Sequence, residues 1–305
     1  MGLDLGKYNR IADEARRLAS AQKLRVSVAG ADDDDVLSAV RICMEEFGVE
    51  ATLFGKGSTV EKLAAQVGLD VSTVEIVDAP SQGAAAQMAV SFVSSGKAHI
   101  LMKGQVKTAD FMKAVLNAET GLRTGRTLSH VAFFDVPSYD RLLCVTDGGV
   151  NVSPDFKTKV DIIQNAIEAA RALGISLPKV ALLAAVETVN PDMACTTEAA
   201  ALSKMADRGQ IKGAVVDGPL SLDVAISKEA ARQKGVSGGV AGAADVLVVP
   251  DIESGNILGK SMLYFGGAVM AGVVAGARRP IVLNSRADTA KNKAASLAVA
   301  MLMSR

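Results

Sequence analysis

The stretch Pro280-Ile281-Val282-Leu283-Asn284-Ser285-Arg286-Ala287-Asp288-Thr289-Ala290-Lys291-Asn292 passes from an apolar tetrad through a polar turn into an alanine-rich run that reaches Met303. The tetrad predicts a short buried strand and the run a helix, which places Ser285 and Arg286 at a strand-to-helix junction. In open parallel sheets, ligands bind beyond the carboxyl ends of strands, where the first amides and the dipole of the next helix favour an anion. Helical spacing from Ala287 sets Asp288 one turn on and Asn292 a further turn along the same face. Taken alone, Ser285 reads first as an N-cap and Arg286 as a surface charge.

Outward from this stretch the same alternation fills the chain. Strands are predicted at 25–29, 50–54, 74–77, 99–102 and 131–134, with helices at 8–20, 58–67, 81–95 and about 108–117 between them. A second series has strands at 142–145, 180–184, 214–216 and 245–249 and helices at 155–173, 192–208 and 221–234. The turn 250–256 then opens an apolar helix that runs to about 275. Strands separated by helices of this length predict βαβ units, an α/β class and a mainly parallel sheet. Pro137, between two strand patterns, is the expected linker.

The bulk numbers bound the function. A chain of 305 residues with 49% hydrophobic residues, 28 glycines and no tryptophan is large enough for two domains with aliphatic cores. Its 33 basic and 33 acidic residues cancel, so no global field draws it to nucleic acid or to an anionic membrane. Cys43, Cys144 and Cys195 lie far apart among apolar or small residues and form no C-x-x-C pair, as reduced core thiols do. The first ten residues hold no apolar signal region, and no apolar run approaches the ~20 residues of a membrane span, so a cytoplasmic protein is expected. Asp32 to Asp35 resemble a metal cluster, but acids open helices, and a cap is the expectation. Gly55-Lys56-Gly57-Ser58-Thr59 lacks the third glycine of a dinucleotide fingerprint and the Gly-Lys-Ser/Thr ending of a phosphate loop. His99 and His130 are read as core or edge histidines.

Four polar turns stand at predicted strand ends. Lys103, Lys107 and Thr108 crowd the first, Lys103 to Asp110; the others are Thr146 to Pro154, Pro250 to Asn256 and Asn284 to Asp288. With Asp217-Gly218-Pro219-Leu220 between the second and third, their order resembles the signatures of the phosphate acetyltransferase and phosphate butyryltransferase family over nearly the whole chain. Leu122-Arg123-Thr124-Gly125, Leu128-Ser129-His130 and Ser285-Arg286-Ala287-Asp288 are closer to the butyryl branch. The resemblance implies exchange of an acyl group between CoA and phosphate, without metal or covalent acyl-enzyme. Acyl-CoA and phosphate or acyl phosphate are the partners, CoA is a substrate rather than a bound cofactor, and a homodimer or higher homo-oligomer is expected. It also implies two three-layer α/β/α domains, 1–137 plus 277–305 and 138–276, with the active site in the cleft between them.

Carried over residue by residue, the resemblance makes Ser285 the hydrogen-bond donor to the reacting carbonyl and Arg286 the anion clamp. Lys103, Thr108, Lys113, Asn256 and Asn292 are the expected substrate contacts. Two departures qualify it. The acetyl branch has an aspartate base seven residues after the serine, where this chain has Asn292, which leaves Asp288 as the nearest carboxylate. An arginine of that branch aligns with Lys113, which lacks the bidentate fork. The acetyl-specific enzyme, a metal- and dinucleotide-dependent decarboxylating dehydrogenase and an inactive acyl-CoA-binding relative stay open as alternatives.

Overall fold

Ile11, Ala12, Ala15, Leu18 and Ala19 form the buried stripe of α1 (Asn9–Gln22), and the run behind it forms β1 (Arg25–Ala29), buried from Val26 on. The structure, a computed structural model, describes residues 4–283 and 288–305. Asp33 accepts the Val36 amide as N-cap of α2 (Asp34–Phe47), with Asp34 and Asp35 in the first turn. The aspartate run therefore starts a helix, as its sequence predicts. Next come β2 (Glu50–Gly55), α3 (Gly57–Val67), β3 (Glu75–Asp78), α4 (Gln82–Ser94), β4 (Ile100–Lys103) and α5 (Thr108–Val115). Their strands pair in parallel in the order β3-β2-β1-β4, with Ser27 between Thr52 and Leu101. Strand order reverses between β1 and β4, the switch point at which α/β sheets open a crevice.

The second series begins with β5 (Ser129–Asp135) and β6 (Leu143–Thr146), which pair antiparallel. Pro137 lies in the turn that joins them. After α6 (Phe156–Ala172), β7 (Lys179–Leu183), α7 (Ala194–Asp207) and β8 (Val215–Leu220), the predicted helix at 221–234 is broken in two. Ser227 leaves helical geometry and caps the second piece, so that α8 (Leu222–Ile226) and α9 (Lys228–Gln233) replace one helix. β9 (Val246–Val248) and α10 (Ile252–Tyr264) complete the series, and β6, β9, β7 and β8 run parallel in that order. Phe134, Val145, Leu220, Val224 and Leu247 centre its core.

Residues 269–275 are not helical. α10 ends at Tyr264, Gly266 and Gly267 turn the chain, the latter at φ 62°, and β10 (Val269–Ala275) follows, rich in valine. β11 (Ile281–Val282) pairs antiparallel with β10 and parallel with β4. α11 (Ala290–Met303) is buried from Asn292 to Leu302, so its apolar residues show no single face. The chain divides into two compact units, 1–126 with 271–305 and 127–270. The first division falls at Arg126 instead of Pro137 because β5 is hydrogen-bonded to β6 and goes with it. The second falls at Ala271 instead of Ala277, since β10 pairs with β11.

Candidate active site

In the first unit the site is built at the carboxyl ends of β1, β4 and β11, three neighbouring parallel strands. The turn after β4 is pressed onto the end of β1: the Gly104 amide donates to Ala29 O at 2.8 Å and the Gln105 amide to Gly30 O at 2.7 Å. Lys103, half-buried at the strand end, donates from Nζ to Gly104 O at 3.4 Å. No side chain caps α5, whose N-cap is Lys107, and Thr108 is exposed at its first position. Uncapped amides, a hydroxyl and two ammonium groups at one turn form an arrangement chemically suited to an anion.

Pairing of β11 beside β4 ends that strand at the same edge of the sheet. Ser285 and Arg286 lie outside the described residues. Asp288 is half-buried and precedes α11, whose N-cap is Thr289. This corrects the expectation that Asp288 and Asn292 share a helix face: the helix starts after Asp288, because the Thr289 hydroxyl accepts the Asn292 amide at 3.2 Å. Asn292 itself is 7% exposed, and its carbonyl accepts the Ser296 hydroxyl at 2.8 Å.

Lys113 is placed differently from Lys103 and Thr108. It stands in the last turn of α5, about 7 Å along the axis from Thr108 at ~1.5 Å per residue. There it lines an open groove of about 640 Å³ between α4 and α5, together with Gln87, Phe92, Lys97, Asp110 and Asn117. A groove of this size is within the range of small-ligand sites.

In the second unit, two turns meet at the carboxyl ends of β6 and β9. The Val249 amide donates to Thr146 O at 2.9 Å and the Ile252 amide to Val152 O at 3.0 Å. Asp251 caps α10, and the amide and hydroxyl of Ser254 hold its carboxyl below the usual range, with the Lys159 charge adding to them. Asn256 is exposed on the first turns of α10, its Nδ2 donating to Gly148 O at 3.3 Å. Lys159, only 8% exposed, pairs with Glu198 and ties α6 to α7 beneath this turn.

Sequence reasoning quoted the turn Thr146 to Pro154 without assigning Asp147 or Asn151, and it missed Lys159. An acid followed by two glycines and an asparagine was the available signal for the first two. Lys159, in the polar spacing of a helix, gave none. His99 stands half-buried just before the inner strand β4: its Nδ1 accepts the Arg25 amide at 3.1 Å, and burial, then Arg279 and Arg25, lower its pKa. No helix of the described residues is long and apolar enough to cross a membrane.

Residues 80–301, which include all four polar turns, match a family model described as Phosphate acetyl/butaryl transferase. The phosphate butyryltransferase of Clostridium acetobutylicum is 48% identical over 287 residues, covering 94% of this chain and 95% of that protein. The phosphate acetyltransferase of Rhizobium meliloti is 45% identical over 296 residues, 97% of this chain and 93% of that protein. Among solved structures, a branched-chain phosphotransacylase from Enterococcus faecalis V583 matches with a TM-score of 0.83 at 36% identity, over 92% of this chain and 99% of that one.

Proposed function

The chain belongs to the phosphate acetyl/butyryl transferase family, and from that premise we propose that it converts butyryl-CoA and phosphate reversibly to butyryl phosphate and CoA. The observation that supports this most directly is 48% identity to a phosphate butyryltransferase across nearly the full length of both chains. Phosphate acetyltransferase activity is the second reading, supported by the 45% identity of the Rhizobium enzyme.

In the direction that makes the thioester, the CoA sulfur gives its proton to Asp288 and attacks the carbonyl carbon of the acyl phosphate. The C–O bond to phosphate then breaks and phosphate leaves. A thiol of pKa about 8.5 gains from such a base near neutral pH. Ser285 donates to the developing oxyanion and Arg286 holds the phosphate, with Lys103, Thr108 and the uncapped start of α5 as further anion contacts. Loss of one oxyanion donor typically costs about 10²–10³ in rate. Lys113 serves the substrate from the α4–α5 groove as a point charge, and Asn256 and Asn292 complete the contacts. The reading includes a cytoplasmic homodimer or higher homo-oligomer, organised as two α/β domains around a cleft, with no metal, nucleic-acid or membrane partner.

The test is release of CoA from acetyl-, butyryl- and a branched acyl-CoA, with and without phosphate and with EDTA throughout. Phosphate-dependent release with the highest kcat/KM for butyryl-CoA is expected. Release from none of the three by folded protein rejects the assignment.

A further inference from the structure

Asp147, at the carboxyl end of β6, is 3% exposed and receives four hydrogen bonds on its two oxygens. Oδ1 accepts the amides of Gly149 and Val150, both at 2.9 Å. Oδ2 accepts the Asn151 amide at 3.2 Å and Asn151 Nδ2 at 2.7 Å. The turn so closed is joined on both sides. Asn151 Nδ2 also reaches Leu128 O at 2.8 Å, and Gly148 O accepts Asn256 Nδ2 at 3.3 Å. Gly148 touches α10 so closely that a Cβ there would lie 2.8 Å from the Gly255 carbonyl carbon. Three sequence signatures, Leu128 to His130, Thr146 to Pro154 and Pro250 to Asn256, are therefore joined at the turn that the Asp147 carboxylate closes.

We infer that Asp147 is a positioning residue for the acyl transfer: by closing the 147–151 turn it fixes the Gly148 carbonyl, and through it the orientation in which Asn256 meets the substrate. The chemistry of the four bonds explains why an aspartate is needed. All four partners are donors, which a carboxylate can satisfy with two oxygens, whereas an asparagine would turn an NH2 group toward two of them. A buried acceptor group with fixed donors makes a stiff turn, and a stiff turn holds an exposed amide side chain in place. This role rests on the acyltransferase reading and on Asn256 as a substrate contact.

The experiment is steady-state kinetics on wild type, Asp147→Asn, Asn256→Ala and the double variant, with KM measured for butyryl-CoA and for phosphate. Each single change is expected to raise the same KM about tenfold, the scale of one lost hydrogen bond to a charged group, with kcat within about twofold. The double variant is expected to be no worse than Asn256→Ala, because one residue acts through the other. Losses that multiply in the double variant, or a fall in kcat at unchanged KM, overturn the proposal. Should Asp147→Asn fail to fold, Asn151→Ala takes its place, since it removes the Nδ2 bonds to Asp147 and to Leu128 O and keeps the carboxylate; the same non-additivity with Asn256→Ala is expected. Wild type without phosphate-dependent CoA release overturns the acyltransferase reading and this role with it, whereas active wild type with additive variants overturns this role alone.

Discussion

Gly104 lies backbone to backbone against Gly30: a Cβ on Gly104 would run into the Gly30 carbonyl and stand 2.9 Å from Ala29 O. Neither obstacle is a side chain that can turn aside. Gly104→Ala must therefore push the turn carrying Lys103 and Lys107 off the end of β1. The expected cost is about 1–3 kcal/mol in urea unfolding, with phosphate-dependent turnover falling at least about tenfold. Unaltered turnover would show that the anion contacts tolerate a displaced turn.

Asp33 caps α2 while its carboxylate lies within 4.8 Å of those of Asp34 and Asp35, so experiment tells a structural acid from a metal ligand here. Asp33→Ala removes the acceptor for the Val36 amide and should lower stability by about 1 kcal/mol. Turnover should be unchanged, with and without EDTA. A loss of activity that magnesium restores would contradict the cap as the whole role of this acid.

Elements whose local preference and tertiary role agree were readable in the sequence. The strand β1 and the capped helix α2 are found where the composition of 25–29 and the aspartate run put them. Residues 269–275 were misread because an apolar, glycine-containing run carries no period that separates helix from buried strand. Strand pairing decides it, and its antiparallel partner β11 is two residues long. At the site, Lys103 and Thr108 could be placed because a strand end and a helix start are local features. That Asp288 precedes the helix could not, since the choice of Thr289 as cap depends on one hydroxyl reaching the Asn292 amide.

Lys159 and Glu198 should show the asymmetry of an ion pair with one buried partner, the lysine. Lys159→Ala leaves Glu198, whose side chain is 31% exposed and so partly solvated, without its partner, and is expected to cost about 1–2 kcal/mol. Lys159→Met together with Glu198→Leu removes both charges at similar volume and should recover most of that loss. Chemical denaturation of the two variants checks it; equal losses would mean that packing, and not the charge, carries the effect.

Cys43 predicts an alkaline limit to stability. Burial, and then the nearby Glu46, push its thiol from 9.0 up to about 12, while the unfolded chain keeps the ordinary value. Above about pH 9 the unfolded state loses a proton that the folded state retains, so stability falls as pH rises from 9 towards 12. Unfolding free energies of wild type and Cys43→Ala over this range should differ in slope, the variant being flatter. Cys144, raised in the same direction, should also resist thiol reagents at pH 8 while the half-buried Cys195 reacts first.

Asp288 and Asn292 test where the base resides. The Thr289 hydroxyl accepts the Asn292 amide as the N-cap of α11, so position 292 is the third residue of that helix. A carboxylate there would be favoured by the helix dipole and opposed by its burial. Asp288→Asn is expected to lower thioester formation about tenfold or more and to flatten its rise with pH, because the thiol then ionises without assistance. Adding Asn292→Asp to that variant should restore part of the rate, since it returns a carboxylate to the start of the same helix. An Asp288→Asn enzyme with the wild-type pH profile would remove Asp288 from proton transfer. Recovery by Asn292→Asp would instead show that the two positions are alternative seats for one base, and that this chain has moved it from the helix to the turn before it.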